Sequence, residues 1–305
     1  MGTPCNVTAL EAQTQMDTSI FHLIKLVSST VSCTLNTLLN VPLLLAITRS
    51  PSLLRHTRFL LLTHLLCCDN LRLLLCTVQA VLLIIKESMP VAHCLVFCAA
   101  TQFCSLVDLF LSTALALDRC VAIKWPFHYE ICTCVRRKTA TVAVIWTLSC
   151  VLSSVALCIG LKTVEVNGSL PRCRPVILAP CVSDTSVLFI SYTVGSGVVL
   201  PVCHLTIMGC FFLVCWDIRG GLLFTKRARV TLTLQAAQTV FYSVPLIMDS
   251  YLIPGYLHCD GLDIAASTTY SLGVSLIPLV YGYRSRELQQ RMLHAAHGNR
   301  VNNAS

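Results

Sequence analysis

The stretch Cys94-Leu-Val-Phe-Cys-Ala-Ala-Thr101-Gln-Phe-Cys-Ser105-Leu-Val-Asp108-Leu-Phe-Leu-Ser-Thr-Ala-Leu-Ala-Leu-Asp118-Arg119-Cys120 is apolar for almost its whole length and closes on an acid–base pair. Twenty-five positions separate Cys94 from Arg119. At about 1.5 Å of rise per residue, a helix of that length crosses the roughly 30 Å hydrocarbon core of a bilayer. A thiol then stands at one membrane face and a guanidinium at the other. Pro126 follows seven residues after the arginine, within Val121-Ala-Ile-Lys-Trp-Pro126-Phe-His-Tyr129.

The remaining chain has the composition that such a segment requires. Of 305 residues, 55% are hydrophobic and 12% are charged, and the mean hydropathy is +0.74. So few charges leave little material for a separate soluble domain. Apolar runs of spanning length occur at 23–48, 58–85, 91–123, 139–160, 186–216, 230–253 and 264–283. The sequence therefore predicts an all-α fold, a seven-transmembrane helix bundle spanning 23–283, preceded by an extracellular N-terminus over 1–22. Residues 1–18 are polar, so the first apolar run is expected to act as its own insertion signal.

Direction follows from the basic residues. With the N-terminus outside, sixteen Lys and Arg fall on the cytoplasmic side, among them Arg55, Arg58, Arg119, Arg136, Arg137, Lys138, Lys226, Arg227 and Arg284. Five fall outside: Lys25, Lys86, Lys162, Arg172 and Arg174. That asymmetry satisfies the positive-inside rule. The sequons at Asn6 and Asn167 lie on the side it assigns to the exterior, as glycosylation requires. Beyond the last run, Leu288, Met292 and Ala295 recur at helical spacing among Arg284, Arg286 and Arg291. They predict a short amphipathic eighth helix on the membrane lipid, followed by a cytoplasmic tail, over 284–305.

Composition also excludes functions. The net charge of +8 is laid out by topology and is not interleaved with aromatics, so nucleic acid is not an expected partner. Most of the nineteen cysteines sit inside apolar runs, where they act as small hydrophobes, and none forms a zinc-finger pair. Nine histidines are present without an HExxH or carboxylate pattern to gather them. Neither enzyme activity, a metal nor a cofactor is expected.

Three charges inside the apolar runs stand out. Asp69 lies eleven residues from Arg58, and Asp108 lies eleven residues from Arg119, which places both about 16 Å from the cytoplasmic face. Arg72 is one helical turn from Asp69 and on its side of the helix. Charges at that depth are expected to face the bundle interior and pair, so Asp69, Arg72 and Asp108 are read as one buried ion cluster.

Taken together, Asp118-Arg119 followed by Pro126, Asn40, Asp69, Trp146, Pro201 and the Ile277-Pro278-Leu-Val-Tyr281 stretch resemble, in order and spacing, the rhodopsin-like G-protein-coupled receptors. Arg58-Phe-Leu-Leu-Leu-Thr-His64-Leu-Leu-Cys-Cys-Asp69, Lys226-Arg-Ala-Arg229-Val-Thr and Pro278-Leu-Val-Tyr-Gly-Tyr-Arg284 look closer still to fish odorant-receptor-like proteins. The chain departs from the wider pattern at Cys120, at Ser243 before Pro245, and at Ile277.

The resemblance implies a plasma-membrane receptor for a small, partly hydrophobic ligand that activates a heterotrimeric G protein. Asp118, Arg119, Pro126, Pro278 and Tyr281 would serve coupling and activation. Thr101, Gln102, Ser105, Thr193, Leu246, Asp249, Ser250, Ser267, Tyr270 and Ser271 would line the ligand pocket. With Thr101 where aminergic receptors carry an aspartate, a biogenic amine is not expected there. Cys94 would bond to Cys173 or Cys181 in the second outer loop. The ion cluster would occupy the place where related receptors hold sodium, with Arg72 supplying the cation. The alternatives are a receptor for an endogenous ligand and, from the buried charges, a membrane transporter. The odd number of runs and the lack of internal repeats speak against the transporter.

Overall fold

The computed structural model describes residues 18–86, 89–125, 135–163, 169–170, 198–219, 264–270 and 273–274. Five long helices account for most of them: α1 Thr18–Thr48, α2 Thr57–Lys86, α3 Val91–Lys124, α4 Val135–Thr163 and α5 Leu200–Arg219. A single turn, Pro51–Leu54, links α1 to α2, and residues 264–270 and 273–274 are helical. Among the described residues, four helices are long and apolar enough to cross a membrane, and Leu200–Trp216 is a shorter apolar helix. Lipid offers no hydrogen bonds to the backbone, so uninterrupted helix is the form these runs can take.

The helices overrun the apolar segments. α1 begins five residues before 23, and α4 extends to Val135 and Thr163 where the apolar run covers 139–160. Helical hydrogen bonding continues past the hydrocarbon edge, whereas hydropathy marks only the part that lipid can accept. At the fifth run the regular helix is described from Leu200, one residue before Pro201, after a wider turn at 198–199. Proline has no N–H to continue the preceding ladder, and the turn before it opens.

Among the described helices, packing puts α3 at the centre. It packs against α2, α4 and α5, while α1 packs against α2. Of its most apolar window, 44% is buried, against 22%, 28% and 22% for α1, α2 and α4. The largest core cluster joins Leu43 and Ile47 of α1, Leu62, Leu65 and Leu66 of α2, Val107, Leu111 and Leu115 of α3, and Val142 and Ile145 of α4. Trp146 caps this core, its ring edge-on to Phe103 at 5.6 Å and to His64 at 6.0 Å. The opposite faces carry exposed Val31, Leu38, Leu205, Phe212 and Trp216, an arrangement that water would penalise and lipid accepts.

Polar side chains in the spans are mostly spent locally or across one interface. Thr63, Thr77 and Thr113 each donate to the carbonyl four residues back, at 2.8 Å. Asn36 and Thr37 of α1 both reach the Asn70 side-chain oxygen of α2, at 3.4 Å. The Lys138 ammonium donates to the carbonyl of Arg55, tying the start of α4 to the α1–α2 connection.

A two-stranded antiparallel ribbon lies at the Cys94 end of α3. β1 (Met89–Pro90) pairs with β2 (Ser169–Leu170), with Met89 opposite Leu170. It joins the α2–α3 connection to the segment after α4. Two-residue strands carry no alternation that a sequence could display, and the sequence reading had no signal for this pairing.

Candidate functional site

Three regions of α3 carry candidate functional residues, and the deepest holds two buried acids. Asp69 on α2 and Asp108 on α3 are completely buried. The Tyr270 hydroxyl, itself on a residue 5% exposed, lies 3.1 Å from Asp108 Oδ2 and 3.4 Å from Asp69 Oδ1. The two carboxyl groups thus meet on one phenol oxygen. The Arg72 guanidinium carbon stands 3.7 Å from the centre of the Tyr270 ring. One turn from Asp108, the Cys104 carbonyl accepts the Cys68 thiol at 3.5 Å.

Local sequence explains the convergence. Asp69, Leu73 and Leu66 share a face of α2, and both leucines are buried, so the acid is carried inward with them. On α3, Cys104, Val107, Asp108 and Leu111 form the buried stripe in the same way. Residues 264–270 bring Ala266 and Tyr270, one turn apart, against this surface, and Tyr270 packs with Leu73 and Val274. The sequence grouped Tyr270 with the ligand wall; the structure turns its hydroxyl to the acids. Depth was the available signal. Tyr270 is fourteen residues from Arg284, about 21 Å, within one turn of the depth reckoned for Asp69 and Asp108.

The wall assigned to the ligand lies one to two turns nearer the Cys94 end of α3. Thr101, Gln102 and Ser105 are half-buried. The Thr101 hydroxyl donates to the carbonyls of Phe97 and Cys98, at 2.9 and 3.0 Å, and Ser105 donates to the Thr101 carbonyl at 2.8 Å. Both hydroxyls are therefore engaged with their own helix, and what they turn outward is small and weakly polar. Ser267 is exposed. Thr193, Leu246, Asp249, Ser250 and Ser271 lie outside the described residues.

Cys94 at the head of α3 is fully buried and disulfide-bonded. Its partner lies outside the described residues, as do Cys173, Cys181 and the sequons at Asn6 and Asn167. The Cys98 thiol, one turn on, sits 4.0 Å from the Cys94 sulfur. Met89, Val91 and Leu95 pack around the bridge beside the β1–β2 ribbon.

At the other end, Asp118 and Arg119 are half-buried in the last turns of α3. They are 24 and 25 residues from Cys94 along one unbroken helix, about 37 Å for the arginine. Cys120 is buried with Ala116 of α3 and Ile207, Cys210 and Val214 of α5, so a small thiol closes this seam where an aromatic would force the helices apart. The helix stops at Lys124, with the Trp125 N–H donating to the Val121 carbonyl at 2.9 Å and the Trp125 side chain exposed. Pro126, Pro278 and Tyr281 lie outside the described residues, as does the expected amphipathic helix. Among the described residues, no group of three or more His, Cys, Asp or Glu side chains is arranged to hold a metal ion.

Comparison with known proteins agrees with this geometry. Residues 39–247, more than half the chain, match the family described as 7 transmembrane receptor (rhodopsin family). Olfactory receptor 1M1 of Homo sapiens is 24% identical over 208 residues, a match covering 64% of this chain and 64% of that receptor's length. With one central rod, a disulfide at its head, Asp-Arg at its foot and this family match, the chain is a multi-pass membrane protein that belongs to the rhodopsin family of seven-transmembrane receptors.

Proposed function

We propose that this chain is an odorant or other chemosensory receptor of the plasma membrane, with its N-terminus outside, which senses a small, partly hydrophobic ligand and activates a heterotrimeric G protein. The observation that carries this reading is α3 itself. One helix joins a disulfide-fixed end beside Thr101, Gln102 and Ser105 to an Asp118-Arg119 end, in a chain of the rhodopsin family. The engaged hydroxyls of Thr101 and Ser105 support a ligand held mainly by shape and apolar contact, with few directional bonds. The similarity to Olfactory receptor 1M1 supports the chemosensory assignment, and the stretches around Arg58, Lys226 and Pro278 favour the fish odorant-receptor-like group.

Arg119 is the coupling residue in this reading. It exchanges its bond with Asp118 for contacts with the G protein, with Pro126 shaping the adjoining loop and Pro278 and Tyr281 acting from the seventh span. Asp69, Arg72 and Asp108 form the ion cluster, in which the tethered guanidinium takes the place of a free cation.

The test is nucleotide exchange on G proteins in membranes carrying the receptor, screened against volatile and water-soluble odorants. Ligand-dependent exchange that disappears in Arg119→Ala at equal surface expression supports the reading. Solute uptake without any G protein, and no exchange with any ligand, would replace it with a transporter.

A further inference from the structure

We propose that Asp69, Asp108 and Tyr270 form a proton-binding site, in which one dissociable proton is shared between the two carboxyl groups across the Tyr270 hydroxyl. The inference rests on hydrogen-bond geometry and does not depend on the receptor reading.

A phenol has one proton to give. The Tyr270 hydroxyl nevertheless lies 3.1 Å from Asp108 and 3.4 Å from Asp69, so two carboxyl groups meet on one phenol oxygen. If the phenol donates along the shorter contact, its oxygen and the Asp69 carboxyl face each other as two acceptors. Oxygen acceptors in fully buried contact repel unless a hydrogen lies between them. One proton on the acid pair resolves this contact, because the protonated carboxyl donates to the phenol oxygen while the phenol donates to the other acid.

Charge leads to the same count. Two ionised acids beside one half-buried guanidinium would leave a net negative charge on carboxyl groups with no exposure to solvent, in a helix bundle surrounded by lipid. One proton makes the set neutral. Two protons would leave the Arg72 charge without a carboxylate. Adjacent carboxyl groups in a dry site share a proton for the same reason.

The titratable and charged groups around this site, among the described residues, are Cys68 and Arg72 beside Asp69 on α2, Cys104 beside Asp108 on α3, Cys33 of α1 against the Leu73–Tyr270–Val274 cluster, and Tyr270 itself. The Cys68 thiol is committed to the Cys104 carbonyl. The proton thus has two carboxyl groups to occupy, on α2 and α3, and the phenol between them relays it by giving up its own hydrogen as it accepts another. Docking of 264–270 on α2 and α3 takes it up from water, and withdrawal of Tyr270 returns it. Lower pH favours the docked arrangement, and higher pH favours release.

Infrared spectroscopy of the purified full-length chain reads the proton directly, through the carbonyl stretch of a protonated carboxyl that shifts in heavy water. The wild type should show one such band near neutral pH, and the band should titrate away in parallel with a fall in thermal stability. Asp69→Asn and Asp108→Asn should each abolish it, since the acid left behind pairs with Arg72. Tyr270→Phe should keep it at a shifted frequency. A wild type with no such band, or with two, overturns the proposal without recourse to any variant. So does a band that survives in either Asn variant, because that proton is not shared.

Discussion

The Arg72 guanidinium lies against the face of the Tyr270 ring, 3.7 Å from its centre, while the hydroxyl of the same ring touches Asp69 and Asp108. One aromatic side chain therefore meets the cation with its face and the acids with its tip. The cation is covalently part of α2 and cannot dissociate. Arg72→Ala should strand the two acids, and loss of one partner from a buried charged set costs about 3–5 kcal/mol. Thermal unfolding of purified protein should record that loss. Added sodium should raise the midpoint of Arg72→Ala and leave the wild type unchanged. A sodium-sensitive wild type would mean that Arg72 does not fill the cation position.

The disulfide at Cys94 fixes the head of α3 beside the β1–β2 ribbon, and the neighbouring Cys98 thiol lies 4.0 Å from the Cys94 sulfur. Cys94→Ser should lower stability by about 2–5 kcal/mol and reduce delivery to the cell surface. Cys98→Ser, one turn away, should leave surface expression near wild type. Labelling of intact cells with an antibody to an N-terminal tag measures both. Equal behaviour of the two variants would remove the structural role of the bridge.

How far these features were legible in the sequence depends on what fixed them. The spans, the continuity of α3 and the shared depth of Asp69 and Asp108 follow from hydropathy and a constant rise per residue, so counting residues was enough. The role of Tyr270 depends on how the last segment is rotated against α2 and α3, which is set by packing of Ala266, Tyr270 and Val274 and leaves no periodic trace of its own. The β1–β2 ribbon depends on two distant loops meeting, and two residues per strand are too few to read. The engaged hydroxyls of Thr101 and Ser105 were legible in principle, because a threonine or serine inside a membrane helix has its own carbonyl four residues back as its nearest partner.

Those engaged hydroxyls make the ligand wall testable. Thr101→Val removes a hydroxyl already bonded to Phe97 and Cys98, so it should shift the half-maximal ligand concentration by less than about tenfold, the worth of one ordinary hydrogen bond. Gln102→Leu alters a half-buried side chain with more polar atoms to offer and should shift it further. Concentration–response curves for nucleotide exchange compare the two. A larger effect at Thr101 would mean that its hydroxyl leaves the helix to meet the ligand.

The outward faces of the helices provide a test of the membrane itself. Val31 lies near the middle of α1 and is 60% exposed, with Val27 and Leu38 on the same outer surface. In water an exposed valine can be exchanged for arginine at little cost, since the charge stays hydrated. In the centre of a bilayer the same exchange costs about 2.5–3.5 kcal/mol for insertion. Val31→Arg should therefore reduce membrane insertion, whereas arginine at Ser19, exposed at the start of α1, should be tolerated because the side chain can reach the headgroups. Glycosylation of a reporter sequon during membrane insertion distinguishes the two. Equal insertion of both variants would show that the Val31 face of α1 meets a polar environment and would remove the lipid from the argument.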